Sequence, residues 1–216
     1  MSRLVTSFVV VLTIVVAGVR AEGATVLTAN LTNAAETSVV IPTTTGGQPR
    51  PVSFGTATFT INDAMTAMTF TATVFNIDFT GSQTADVNDN LVAAHIHASP
   101  TVTPAMNATV VWGFFGSPLN DNNPNDVVVT PFVSGVGGTI SGKWDAPEGN
   151  GGTNLATQLP NILTGHAYIN FHTTQFGGGE VRGTLVPEPS SMLLLGIGAA
   201  VLVACRRQRS RMSQVD

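Results

Sequence analysis

The stretch Thr56-Ala57-Thr58-Phe59-Thr60-Ile61 alternates polar and apolar side chains without a break. Successive side chains of a β-strand point to opposite faces. Ala57, Phe59 and Ile61 therefore share one face, and Thr56, Thr58 and Thr60 share the other. A helix would scatter both sets around its axis. The same alternation resumes from Met65 to Phe79, a segment long enough to bend. Ala108–Gly116 and Asp126–Gly135 are rich in β-branched and aromatic residues, and Gly138–Trp144 follows a Gly-Gly turn. Gly, Asn, Asp and Pro clusters separate these runs. Short strands punctuated in this way predict an all-β chain, an antiparallel Greek-key-like β-sandwich or barrel. One segment departs from the pattern. Asn154–Leu163 reads as a short helix, which Pro160 is expected to break or end.

Composition narrows the functions open to such a fold. Charged residues make up 10 % of the 216 residues, against roughly 25 % in an ordinary globular chain. The formal net charge is -4, and arginines cluster only at the extreme C-terminus. No basic stripe exists to hold nucleic acid. The single cysteine, Cys205, lies in an apolar tail, so the body of the chain carries no disulfide. Two Asn/Asp-rich stretches, Ala85–Asn90 and Leu119–Val127, have oxygens that suit calcium. Both lack the closing Glu of a calcium loop, and turns are the favoured reading. There is no G-x-S-x-G elbow and no carboxylate pair beside a histidine. A non-enzymatic protein is expected.

The two ends say where the chain works. Arg3, the apolar run Leu4–Val16 and the small residues Val19 and Ala21 read as a signal peptide over residues 1–21, cleaved after Ala21. Near the other end, Met192–Cys205 would rise only about 21 Å as a helix, a marginal membrane span. Arg206, Arg207, Arg209 and Arg211 follow it and would remain cytoplasmic. A terminal signal helix is thus expected at each end of a β domain over residues 24–186. Pro187-Glu188-Pro189, the short apolar helix and the basic cluster with Arg206 and Arg207 resemble the PEP-CTERM sorting signal of Gram-negative bacteria. The resemblance assigns residues 187–211 to the signal and leaves 212–216 as a tail. It implies recognition by an exosortase, transient membrane anchoring through the tail, and delivery to the cell envelope, cell surface or extracellular matrix. It also implies the secretion machinery, and extracellular polysaccharide or surface proteins, as partners.

The chain has four histidines in two patches, His95 and His97 in LVAAHIHAS, and His166 and His172 in GHAYINFH. Residues two apart on a strand project together, so His95 and His97 share a side. Tyr168, Asn170 and His172 share a side of the second segment, with Ala167, Ile169 and Phe171 facing the core. His166 and His172 would stand on the order of 20 Å apart along a strand, which leaves His166 outside. His95, His97 and His172 are the candidate ligands of one Zn or Cu ion. The alternative is that these rings hydrogen-bond their neighbours' backbone, with no cofactor.

His95-Ile96-His97, Ala167-Tyr168-Ile169-Asn170-Phe171-His172-Thr173 and Gly178-Gly179-Glu180-Val181-Arg182-Gly183 together resemble the CHRD domain. The match spans the middle of the chain and implies an all-β domain with no established enzymatic activity. The pattern is also similar to copper-zinc superoxide dismutase. That enzyme type needs six histidines and an aspartate for two metals, so dismutase activity is not expected here. Within the motif, Gly177–Gly179 read as a glycine-dependent turn. Arg182 is expected to pair with a carboxylate such as Glu180 or Asp78.

Overall fold

The computed structural model describes residues 24–188. The expected terminal helices, with Pro189, Arg206 and Arg207, lie outside the described residues. Among the described residues no helix is long and apolar enough to cross a membrane.

Among the described residues, ten strands, one α-helix and a single 3-10 turn at Asn33–Ala35 follow in chain order. β1 (Thr25–Thr32), β2 (Phe54–Ile61) and β3 (Ala67–Phe75) come first, then β4 (Leu91–Ala98) and β5 (Val110–Phe115). β6 (Val128–Pro131) and β7 (Gly137–Asp145) precede α1 (Leu155–Leu163). β8 (Ala167–Thr173), β9 (Val181–Thr184) and the two-residue β10 (Val186–Pro187) complete the sheet. The strand order is β5-β4-β8-β9-β1-β2-β3-β7-β6, with β10 on β1, and all registered strand pairs are antiparallel. The result is one sheet curled into a half-barrel.

The alternation read from the sequence sets the inner face. Along β2, Ala57, Phe59 and Ile61 are buried while Thr56 and Thr58 are exposed. β3 repeats the pattern in register, with Phe59 opposite Phe70 and Thr58 opposite Thr71. The curl brings the first strand of the order against the far end. Phe70 of β3 meets Trp112 and Phe114 of β5, with ring centroids 5.7 and 4.6 Å apart. Trp112 also stacks on Trp144 of β7 at 5.4 Å with the rings 3° from parallel. Contacts between aromatic side chains thus join two parts of the sheet that share no ladder.

Glu148 ties this seam. Its Oε2 accepts from Trp112 Nε1 at 3.1 Å, and its backbone oxygen accepts from Trp144 Nε1 at 2.8 Å. Its Oε1 accepts the Asn122 and Asn123 amides, both at 2.8 Å. Asp121 Oδ2 accepts the Asp126 and Val127 amides. Both Asn/Asp-rich stretches use their carboxylates on loop backbone in this way, since Asp86 likewise accepts from the Thr45 and Asn88 amides.

Two local expectations need correction. Pro160 lies inside α1, and the helix continues to Leu163. Leu155, Leu159 and Ile162 anchor the buried side while Ala156 and Pro160 are exposed. Pro160 cannot donate to the Ala156 carbonyl, but Ala156 lies on the exposed side of the helix, where an unpaired carbonyl costs little. Asp126–Gly135 yields only the four residues of β6, because Gly135 takes a φ of +83° and turns the chain into β7.

Candidate metal centre

The sheet buries its outer face as well as its inner one along β4 and β8. Ala94, Ile96, Ile169 and Phe171 enter the core. His95, His97, Tyr168, Asn170 and His172 face the other way and are also buried. Three loop segments cover them and place three carbonyls over the rings. His95 Nε2 lies 3.1 Å from Ser117 O, His97 Nδ1 2.9 Å from Ala108 O, and His172 Nδ1 3.1 Å from Gly177 O. Gly113, opposite His95 on β5, makes room for this cover. A Cβ there would stand 1.9 Å from Pro118 O and 3.1 Å from the His95 ring.

These contacts determine the tautomers. A carbonyl only accepts, so each facing ring nitrogen carries the proton. A neutral imidazole has one such proton. The remaining nitrogens are therefore bare: Nδ1 of His95, Nε2 of His97 and Nε2 of His172. Those atoms point at each other. His95 Nδ1 and His172 Nε2 are 3.2 Å apart. His97 Nε2 is buried with no hydrogen-bond partner. One nitrogen from each ring lies within 4.8 Å of the other two.

Protonation does not relieve the crowding near neutral pH. Burial pushes His95 down to about 4, and the neighbouring His172 adds to the effect. Burial likewise pushes His97 to about 4 and lowers His172. Three neutral rings converge on one point with lone pairs only, the arrangement a transition-metal ion requires. His166 stands apart, with its Nδ1 2.8 Å from Val102 O.

The surrounding motif residues form the support of this site. His97 stacks on Tyr168 at 4.7 Å with the rings 3° from parallel. The Arg182 guanidinium lies 3.5 Å over the other partner of the stack, the Tyr168 ring. Arg182 donates to Thr103 O at 3.2 Å, Met106 O at 2.7 Å and Asn107 Oδ1 at 3.2 Å. The expected pairing of Arg182 with Glu180 or Asp78 is therefore corrected. Glu180 instead binds Arg50, through Nη1 at 2.7 Å and Nη2 at 2.6 Å. Thr173 Oγ1 also donates to Glu180 at 2.6 Å, and Ser53 Oγ donates to it as well. Asp78 is occupied by the Thr80, Gly81 and Thr84 amides.

The glycine turn is narrower than expected. Gly179 alone of the three takes a positive φ, +125°, and it packs against Asn170 and Glu36 where a Cβ would collide with both. Gly183 is required by close approach, since a Cβ would stand 2.7 Å from Asn30 O of β1. Glu36 is pushed up to about 7 by burial, although the Arg182 cation acts against the shift. Glu36 and Arg50 escaped sequence reasoning because both sit in loops with no pattern around them. Both are more than 100 residues from their partners near β9.

An antiparallel half-barrel that gathers three bare imidazole nitrogens on its outer face defines a β domain with a candidate metal centre. Residues 27–185 match the CHRD domain model, and the chain belongs to the CHRD domain family. Residues 185–208 match the PEP-CTERM protein-sorting motif. That motif implies an exported protein sorted by an exosortase to the surface of a Gram-negative bacterium. No curated protein and no solved structure matches the chain.

Proposed function

We propose that this is a non-enzymatic protein of the cell surface or extracellular matrix whose CHRD domain binds one Zn or Cu ion through His95, His97 and His172. The proton count carries the reading. Three carbonyls use the three imidazole protons, so none is left for the 3.2 Å contact between His95 and His172. Two lone pairs held that close repel unless a cation lies between them. The non-enzymatic part rests on the neighbours. Tyr168 is engaged in support of the site, since its hydroxyl accepts the Ala108 amide and its ring carries His97 and the Arg182 guanidinium. Arg182 is spent on loop carbonyls. Delivery by the tail, with brief membrane anchoring, would place the domain among extracellular polysaccharide or other surface proteins.

Elemental analysis of the full-length chain, purified in detergent without a histidine tag, tests the site. About one equivalent of Zn or Cu is expected for a single three-nitrogen centre. His97→Ala should lose it and His166→Ala should keep it. Failure of the wild type to take up either metal on incubation would sink the proposal.

A further inference from the structure

We propose that the three-histidine centre selects copper(I) over zinc(II) and copper(II). The inference rests on the metal-binding reading above and adds the identity and charge of the ion.

The donor set is neutral. Among the described residues, the convergent group contains three imidazoles and neither a carboxylate nor a thiolate. An ion held there keeps its full charge in a buried place. The rings are 5 %, 7 % and 7 % exposed for His95, His97 and His172. The Born cost of burying an ion grows with the square of its charge, so a dication costs about four times as much as a monocation of equal size. Anionic ligands would offset that cost, and among the described residues this site has none.

The fixed charge behind the site has the wrong sign for a dication. Arg182 lies against Tyr168, and Tyr168 lies against His97. A single ring, that of Tyr168, separates the guanidinium from the ligand His97. It is held by neutral oxygens of Thr103, Met106 and Asn107, which do not cancel its charge. Glu36, the carboxylate it feels, is drawn toward neutrality by burial. Each added unit of charge on the ion therefore meets the same repulsion again.

Coordination number points the same way. Zinc(II) at three histidines completes its shell with a water in a fourth position, which must enter this buried place with the ion, and copper(II) prefers a tetragonal set of N and O donors. The site supplies three nitrogens within 4.8 Å of one another. A d10 monovalent ion accepts three donors without a fourth.

The test is competitive titration of the full-length protein under anaerobic reducing conditions. Copper(I) is buffered by bicinchoninate, and zinc(II) by a chromophoric chelator. One equivalent of copper(I) is expected, bound at least on the order of a hundred-fold more tightly than zinc(II), with X-ray absorption showing a three-coordinate nitrogen site. Arg182→Gln should shift the ratio toward zinc on the order of ten-fold, and Arg182→Lys should leave it unchanged, as expected for one unit charge at this separation. Zinc(II) binding as tightly as copper(I) in the wild type would overturn the selectivity and leave the metal centre standing. Uptake of neither metal would overturn both. The wild-type comparison decides the matter even where the Arg182 variants fail to fold.

Discussion

Glu180 is fully buried, and its carboxylate receives hydrogen bonds from Arg50, Ser53 and Thr173. The pair joins the loop before β2 to the start of β9, two segments 130 residues apart. Removing one member of a buried ion pair leaves the other charge without compensation and costs about 3–5 kcal/mol. Arg50→Met should therefore lower the unfolding free energy by about that amount, read from denaturant titration. A loss below about 1 kcal/mol would mean that Ser53 and Thr173 hold the carboxylate unaided. The histidines make a second residue-scale prediction for the metal-free protein. His95 and His97 titrate at an ordinary 6.5 when unfolded and at about 4 when folded. Between those values the unfolded chain binds protons that the native state refuses. Their contribution to stability is complete above pH 6.5 and is lost as the pH falls toward 4. Each ring contributes on the order of 2–3 kcal/mol. Asp121 works in the opposite sense, because burial raises it to about 6 and its contribution fades as pH rises toward that value. Glu36, raised to about 7, opposes the histidines over the same range, so the check is a comparison: as pH falls from 7.5 to 5, the denaturation midpoint of His97→Gln should rise relative to that of the wild type. An unchanged difference between the two would refute the assignment.

Elements were legible where one face is apolar and the other polar. β2 and β3 keep their alternation because burial acts on every second residue, and their burial follows the expected faces. The same rule places His95 and His97 on one side of β4, and Tyr168, Asn170 and His172 on one side of β8. It does not say that this second side is buried. The cover comes from loops contributing Ala108, Ser117 and Gly177, and loops have no period. The helix over Asn154–Leu163 was legible as a departure from the strand pattern, and Asn154 caps it by accepting the Thr157 amide. Its tolerance of Pro160 was not. That depends on which side of the helix meets water, and the core under Leu155, Leu159 and Ile162 decides it.

At the scale of the molecule, the curl of the sheet depends on the seam between β5 and β7. Trp112 and Trp144 stack there, both fully buried, with Glu148 bonded to both indoles. Trp144→Ala should cost about 3–5 kcal/mol, the usual range for emptying a large buried aromatic site. It should also abolish the near-ultraviolet signal of the stacked pair. Retention of both stability and signal would mean that the ladder hydrogen bonds alone set the curl. The sequence by itself determined the β class, the faces of the main strands, the family motif and the sorting tail, because each is written in local period or contiguous residues. Only the tertiary structure decided the partners of Arg50, Arg182 and Glu180, the tautomers of the three histidines and their meeting point. Those depend on segments distant in the chain that the curled sheet brings within hydrogen-bond reach, and a one-dimensional pattern carries no such distance.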